Sequence, residues 1–249
     1  MLRSRGVLAT CLVLISTSAW SADSELALPA GARIGIIDMM TTDVTHFHVG
    51  KAPATSFLRT YRVGGTPVDV IDEPLAKQLR NAGFQPMPLA PSDTLRRSRE
   101  AWMVTSPQAR KLPRACLDEL DRIMTSEMLS AVVVIAPGQN TSPESVQGNR
   151  LKKLPDYMQG WGFSTTDEVG TIPVVFNLAQ MLLVGKTPDG AKLQYREWGG
   201  SYVYEWANFA PGPDLKAIPD SEITKFRPVI TDVVQRQIAR LMPHIATAP

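Results

Sequence analysis

Residues 117–135 read LDELDRIMTSEMLSAVVVI, and they contain the two kinds of element that decide the fold. The first half places apolar residues on one helical stripe, which predicts a helix that begins at Pro107 or Pro113 and ends near Met124. The second half, 131–135, is an apolar run without polar alternation. Such a run is typical of a strand that is covered on both faces of a sheet.

Upstream of this unit the chain predicts two more strands and a helix between them. Residues 34–37 read IGII, a short apolar run that indicates a buried strand. Asp72 is placed to cap a helix that ends at Gly83, a residue suited to a left-handed C-cap. Residues 84–89 then run extended, and their two prolines restrict them to a sheet edge, because proline donates no ladder hydrogen bond.

Downstream, the sequence predicts a hairpin and a closing helix. Residues 186–190 read KTPDG, and this turn chemistry joins a strand at 173–184 to a returning strand at 191–198. The last helix is capped by Asp220 or Ser221 and carries its apolar residues on one side.

This order of elements predicts an α/β fold: a single mixed β-sheet with packed helices, a C-terminal hairpin and a closing helix. Residues 22–249 are enough to bury one core, so we expect one domain there. The sequence contains no internal repeat, heptad run or low-complexity tract.

Residues 1–21 have the layout of a secretory signal peptide. Arg3 and Arg5 supply the positive start, and residues 7–15 supply an apolar core that is too short to span a bilayer as a helix. Small residues precede the predicted cleavage point, which lies after Ser21 or one residue later. We therefore expect an exported, periplasmic protein, with an uncleaved anchor as the alternative.

After that cleavage the chain carries no net charge. The formal charge of +2 comes from the two arginines of the signal. No basic run remains to indicate nucleic acid or an anionic lipid surface as a partner, and no other stretch is apolar for long enough to cross a membrane. Cys116 is the only remaining cysteine, so no intramolecular disulfide is expected. Its place on the apolar helical stripe favours a buried structural thiol over a nucleophile.

The familiar catalytic and cofactor motifs are missing. No Gly-x-Ser-x-Gly elbow, Walker pattern or dinucleotide glycine pattern occurs, so we expect no cofactor. Asn140 follows the apolar strand as in SGNH-type esterases, but the serine and the Asp-x-x-His pair of that family are absent. Asp38 ends the first strand, where sites gather in open sheets, although turn capping is the commoner role. The patterns favour a binding role over an enzymatic one.

His46 and His48 are the candidate metal ligands. In an extended segment over 42–49 both rings point to the same side, as a metal site requires. Asp43 points to the other side, and His244 would reach the pair only through the tertiary fold. The alternative interpretation is two solvated histidines on a strand face, because a structural zinc site needs four ligands.

Two aromatic segments indicate recognition. Residues 154–168 read LPDYMQGWGFSTTDE and fit neither the helical nor the strand period, while 199–209 read GGSYVYEWANF and place three rings on one face if extended. Tyrosine and tryptophan are enriched at binding hot spots, since they bury area and keep a polar tip. The alternative is that both segments fold back over the sheet and join the core. The candidate contact residues are Tyr157, Trp161, Phe163, Tyr202, Tyr204 and Trp206.

Several stretches follow one another in a recognisable order behind the export signal: IGII at 34–37, LAKQLRNAGFQPMPL at 75–89, the helix and strand of 117–135, VVFNLAQMLLVGKTPDGAKLQY at 174–195, and a long C-terminal helix. This order resembles the periplasmic α/β domain of the TolB amino-terminal and CsgG-like group. The resemblance implies an envelope accessory or assembly protein that acts by contacts. The chain departs from that group in the insert after residue 37 and in the long loop after residue 135. It also shows neither the membrane-spanning strands nor the lipid anchor that a secretion pore needs.

From these patterns we expect an exported, non-enzymatic accessory or assembly protein of the cell envelope. It would bind another envelope protein or a glycan through aromatic anchors. The alternatives are a periplasmic hydrolase or a metal-binding protein with a site near Asp38, His46 and His48. Aromatic rings stack on proteins and on sugars alike, so the sequence is compatible with both classes of partner.

Overall fold

The computed structural model describes residues 26–41, 43–62, 68–98, 102, 112–138, 160–167, 172–198, 202–210, 212 and 214–247. In these ranges the strands and helices follow in the order β1 (Leu26–Leu28), β2 (Arg33–Asp38), β3 (Asp43–Val49), β4 (Phe57–Arg62), α1 (Glu73–Asn81), β5 (Gln85–Leu89), α2 (Asp93–Arg97), α3 (Arg114–Ser126), β6 (Ala131–Pro137), β7 (Trp161–Thr166), β8 (Val174–Asn177), β9 (Ala179–Thr187), β10 (Gly190–Trp198), β11 (Tyr202–Glu205), α4 (Asp220–Ile223), α5 (Phe226–Leu241) and β12 (Ile245–Thr247). None of the described helices is long and apolar enough to cross a membrane.

The strands form two five-stranded sheets and one small parallel pair. The first sheet has the order β10-β9-β6-β2-β5, the second has the order β11-β8-β7-β3-β4, and β1 pairs with β12. Both five-stranded sheets contain parallel and antiparallel neighbours. The α/β fold class is confirmed, with the antiparallel hairpin β9–β10 and the closing helix α5. The single sheet that the sequence predicted is divided in two.

The division follows the chain strand by strand. β3, β7, β9 and β11 are the next numbered strands after β2, β6, β8 and β10, and the members of each pair hold the same place in the two sheet orders. Each strand of the second sheet therefore corresponds to a strand at the same position in the first sheet, and the hydrogen-bonded ladder is interrupted between the two sheets. The sequence does not reveal that the hydrogen-bonded ladder is interrupted there.

One break lies inside the segment that the sequence predicted as a single strand at 173–184. Leu178 lies between β8 and β9 and belongs to neither strand. Its N–H donates to the carbonyl of Gly160 at 2.6 Å. The side-chain oxygen of Asn177 accepts from the N–H of Ala179 at 2.9 Å, so it takes the place of a ladder partner. Gln237 of α5 donates to the Ala179 carbonyl at 2.9 Å, and this buried amide fixes the bend from the helix side.

The core lies on both faces of β6, which is buried along its whole length. Val133 faces a cluster that includes Leu75 of α1 and Val234 of α5. Val132 faces a second cluster that includes Cys116 of α3. The first sheet is thus sandwiched between helices, as the absence of polar alternation predicts. Full burial of one valine or leucine side chain contributes roughly 1.5–3 kcal/mol, so the apolar run of β6 is a large share of the stability. Cys116 is a buried free thiol, as predicted.

Several element boundaries agree with the residue chemistry. Pro113 precedes the first residue of α3, which settles the choice between the two prolines. Gly83 has a φ of +86° after α1, the left-handed backbone that favours glycine. β5 lies at the edge of the first sheet, where its prolines interrupt no second ladder.

The stretch at 154–168 contains a strand that the sequence did not predict. Trp161–Thr166 forms β7, which pairs with β3 on one side and β8 on the other. Gly160 turns the chain into this strand with a φ of +70°. Gly162 lies so close to β3 that an added Cβ would collide with the carbonyl oxygen of Thr45. The two glycines obscure the strand period, but the packing requires the second of them.

We expect Gly162→Ala to lower the free energy of unfolding by about 3 kcal/mol, because the methyl group overpacks an interior strand. The new Cβ would meet the Thr45 carbonyl and lie 2.6 Å from the ring of Phe176. Gly83→Ala is the comparison, since no atom lies within 4 Å of its added Cβ. That variant should lose only about 1–2 kcal/mol for its left-handed backbone. Urea denaturation measures both, and equal losses would contradict the close contact.

Candidate functional site

The parallel strands β3 and β7 bring the predicted histidines against residues that the sequence did not connect with them. Their register places His46 beside Phe163 and His48 beside Thr165. Both histidines are buried, with 0% and 3% exposure. The interpretation of two solvated histidines is therefore wrong, whereas their position on one face of a strand follows the period of two.

A chain of hydrogen bonds runs through the histidines from the surface to the core. His46 Nε2 lies 2.8 Å from Thr165 Oγ1, and His48 Nδ1 lies 2.9 Å from the same oxygen. His48 Nε2 lies 3.1 Å from Asp167 Oδ1. The second carboxylate oxygen accepts from the Lys51 N–H at 3.0 Å. We call the four side chains of His46, His48, Thr165 and Asp167 the histidine network.

The donors and acceptors of the histidine network follow from its outer end. A carboxylate only accepts, so His48 Nε2 donates to Asp167. With neutral rings, His48 Nδ1 accepts from the Thr165 hydroxyl, and that oxygen accepts from His46 Nε2–H. His46 Nδ1 then carries no proton, and it is buried without a hydrogen-bond partner. The geometry therefore assigns the Nε2–H tautomer to both rings.

The two ends of the histidine network differ in charge. Burial lowers the pKa of His46 to about 3, and His48 and Arg59 nearby act in the same direction. The backbone N–H of Lys51 holds the pKa of Asp167 below its usual value, with a smaller contribution from His48. The Asp167 side chain is 36% exposed. The network thus has a charged end at the surface and a neutral end in the core.

The inner end of the network belongs to an aromatic cluster centred on Phe163. The rings of His46 and Phe163 are stacked with centroids 4.5 Å apart. Trp206 and Phe209 each lie 5.3 Å from Phe163, and Phe226 of α5 lies 6.2 Å away. The two aromatic segments of the sequence are therefore brought together, and they pack against each other and against the closing helix.

This packing places three of the predicted contact residues in the core. Trp161, Phe163 and Trp206 are 5%, 0% and 2% exposed. The indole N–H of Trp161 donates to the Asp43 carbonyl at 3.1 Å, so its polar tip is also satisfied inside the protein. These rings offer no surface to a partner, in agreement with the alternative that the segments fold back. Outside the described residues lie Tyr157, Asn140 and the side chains of Tyr202 and Tyr204.

The histidine pair does not form a metal site with other ligands in the described ranges. No group of three or more His, Cys, Asp or Glu residues arranged to hold a metal ion occurs there. The ring nitrogens that face each other are both bonded to Thr165. His244 is elsewhere in the fold and stacks on Tyr195 with centroids 3.4 Å apart.

The order Asp167, His48, Thr165 is that of a carboxylate, an imidazole and a hydroxyl in a nucleophilic triad. Thr165 is only 7% exposed, and its hydroxyl is shared between two rings. A substrate carbonyl would have to displace one of them. The arrangement is suited to fixing β3 against β7 and to holding protons at defined nitrogens.

A second group of acids, the buried Asp72 and the half-buried Asp38, lies where β2 ends. Asp38 Oδ1 accepts from the Met40 N–H at 2.7 Å, and Asp72 closes a π-helical turn at Val68–Asp72 that leads into α1. Each carboxylate has one buried oxygen without a partner. Burial raises the pKa of Asp38 to about 7 and that of Asp72 to about 6, and the charge of Asp72 also raises that of Asp38. Such carboxyl groups can transfer protons near neutral pH.

Three of these polar residues were not identified as site residues from the sequence. Thr165 and Asp167 are 117 and 119 residues away from His48 in the chain, so no local motif links them. Asp72 was predicted to cap α1, but its own backbone is helical and its side chain makes no capping hydrogen bond. The π-helical turn in front of it carries the chain past the position where a cap would form.

No family model and no curated protein matches the chain. Among solved structures, a PelC dodecamer from Paraburkholderia phytofirmans is similar with a TM-score of 0.33 and 12% identity, over 90% of this chain and 94% of that chain. The hypothetical protein CT253 from Chlamydia trachomatis is similar with a TM-score of 0.35 and 9% identity, over 84% of this chain and 95% of that chain. At these TM-scores neither likeness carries an argument, and the resemblance to the TolB amino-terminal and CsgG-like group stays a prediction.

We expect Thr165→Val to lower the free energy of unfolding by about 2–4 kcal/mol, because the variant leaves nitrogens of two buried rings without partners. The change keeps the volume and the branched shape of the side chain. Thr45→Val is the control, since residue 45 lies on the other face of β3. Urea denaturation compares the two variants, and equal stabilities would contradict the bridging role of the hydroxyl.

Asp38→Asn tests the buried acid through the pH dependence of stability. The pKa of Asp38 rises from 3.8 to about 7 on folding, so the folded protein keeps a proton that the unfolded chain releases. For this group, stability is full below about pH 4 and falls as the pH rises to about 7. The neutral amide removes that fall, so we expect Asp38→Asn to be more stable above pH 7 by about 1–3 kcal/mol.

The measurement is urea denaturation at about pH 4.5 and about pH 8. Asp232→Asn is the control, because Asp232 pairs with Arg236 on the exposed side of α5. A pH slope that is the same in wild type and in Asp38→Asn would show that the carboxyl is not buried as described.

Proposed function

We propose that the protein is an exported accessory or assembly protein of the cell envelope and that strand β4 is its contact surface for another protein. The observation that carries this proposal is the open edge of the second sheet. Among the strands of the described residues, β4 is the last in that sheet and pairs with β3. An edge strand presents unpaired backbone N–H and C=O groups to any chain that can pair with them.

The side chains of β4 support a contact role. Leu58 is 48% exposed, and Arg59, Thr60 and Arg62 are exposed as well. Among the residues that the structure describes, Leu58 and Met128 are the exposed large hydrophobics. Leu58 lies opposite Phe47 in the ladder, so it extends a buried apolar patch to the rim of the sheet. An incoming strand would cover that side chain as it pairs.

The strand behind β4 makes this edge rigid. β3 is held by the histidine network and by the aromatic cluster, and Phe57 of β4 stacks on His48 with centroids 4.9 Å apart. A preformed edge loses little conformational entropy when a second strand is added, which favours recognition by strand addition. The aromatic residues thus contribute to binding as support from the core, while the contact is made by the strand in front of them.

A hydrolase with a site near Asp38 is the second candidate. The raised pKa of Asp38 and the partnerless oxygens of Asp38 and Asp72 favour it. Within the described ranges no hydrogen bond joins either acid to His46 or His48. The Thr165 hydroxyl, which has the partners of a triad nucleophile, is 7% exposed and is shared between two rings, so contact through β4 is the better supported function.

We expect Leu58→Asp to abolish capture of a partner from periplasmic extract, because a charge replaces the apolar rim and opposes strand addition. Met128→Asp is the matched control. It changes the other exposed large hydrophobic, 74% exposed in the turn after α3. Circular dichroism shows whether both variants are folded. A partner that both variants hold as well as the wild type would overturn the role of β4.

A further inference from the structure

We propose that the occupant of the β4 edge is an extended protein segment with carboxylates opposite Arg59 and Arg62. This inference rests on the proposed function and specifies the chemistry of the partner. β4 reads FLRTYR, with two exposed arginines and no acid. Because the chain without its signal is formally neutral, this concentration of positive charge is a local property of the edge.

A third cation extends the charge on one face of β4. The ammonium group of Lys216 lies over the ring of Phe57, 5.6 Å from its centroid. The guanidinium of Arg59 donates to the backbone carbonyl of the same lysine. That bond uses a neutral acceptor, so it holds the arginine beside β4 without neutralising it.

Two of the acids near this edge have hydrogen-bond partners within the protein, and a third lies on the strand behind it. Asp167 binds His48 and the Lys51 N–H. Asp214 accepts from the Lys216 N–H at 2.8 Å. Asp43 lies on β3, opposite Arg62 in the ladder that is already paired. The open side of the strand thus lacks a carboxylate from β4 itself, and a partner strand can supply one.

Charge also decides between a foreign segment and a second copy of this chain. Two β4 strands that pair with each other would bring four arginines into one short ribbon. Like charges on neighbouring strands destabilise a sheet, whereas opposite charges across strands stabilise it. An acidic segment is therefore favoured over self-pairing.

The register of β4 gives the partner a sequence pattern. Side chains alternate between the faces of a strand, so Arg59 and Arg62 lie on opposite faces, and Leu58 shares the face of Arg62. An antiparallel partner would place an acid opposite Arg62, a second acid three residues later and an apolar residue next. It would read acid-x-x-acid-apolar from its amino end, and a parallel partner would read apolar-acid-x-x-acid.

A charge exchange tests this inference with the full mature chain. The probe is a synthetic peptide with the core Asp-Thr-Thr-Asp-Val between threonines, and the comparison peptide has lysine at both acidic positions. We expect the acidic peptide to bind the wild type at least about tenfold more tightly than the lysine peptide. Arg59→Glu with Arg62→Glu should reverse that order, which calorimetry or fluorescence anisotropy measures. If the double variant does not fold, Arg62→Glu alone is the substitute, because it spares the bond between Arg59 and Lys216. This variant should bind the acidic peptide with a smaller advantage over the lysine peptide.

An acidic peptide with N-methylated backbone amides separates strand pairing from charge alone. Loss of binding on methylation supports the inference. Equal binding of methylated and unmethylated peptides, or equally tight binding of an acidic polysaccharide, would overturn the assignment of a protein strand. If Leu58→Asp abolishes partner capture while the charge reversal changes neither capture nor peptide preference, the contact role of β4 stands and the acidic partner is excluded.

Discussion

The register of β3 against β7 is the constraint on which the second sheet depends. Gly162 permits the close approach of the two strands, and the pairing that follows sets His46 beside Phe163 and His48 beside Thr165. A slip of β7 by one residue would turn Phe163 and Thr165 to the opposite face, away from the histidines. The histidine network is therefore a consequence of backbone pairing, and it makes that pairing specific, because a slipped register would bury polar atoms without partners.

His46 and Asp38 give this fold opposing responses to pH. His46 stays neutral in the folded protein, so its contribution to stability is full above about pH 6.5 and is lost as the pH falls toward about 3. Asp38 holds a proton in the folded protein, so its contribution is lost as the pH rises toward about 7. The pH ranges over which the two groups titrate overlap, and there their opposite effects on the stability partly cancel.

Because this packing buries the aromatic side chains, the proposed contact surface is a strand edge and not the aromatic rings. Phe163 and Trp206 meet in the core and press against α5, where they support β3 and β4 from within. The rim that remains accessible carries Leu58 and two arginines. Contact by strand addition needs a rigid edge more than exposed rings. A core rich in aromatic residues is thus compatible with a binding function through the strand that lies in front of it.

The sequence by itself determined the elements whose evidence is local. The apolar run of β6, the glycine after α1, the proline before α3, the edge position of β5 and the turn between β9 and β10 all follow from residue chemistry within a few positions. The tertiary structure alone decided the division into two sheets, the strand at Trp161 and the meeting of His48 with Thr165 and Asp167. The histidine network joins residues 117 to 119 positions apart, and the bend at Leu178 is fixed by Gln237, which is 58 positions from Ala179. The period of side chains along one strand carries no information about which strand lies beside it.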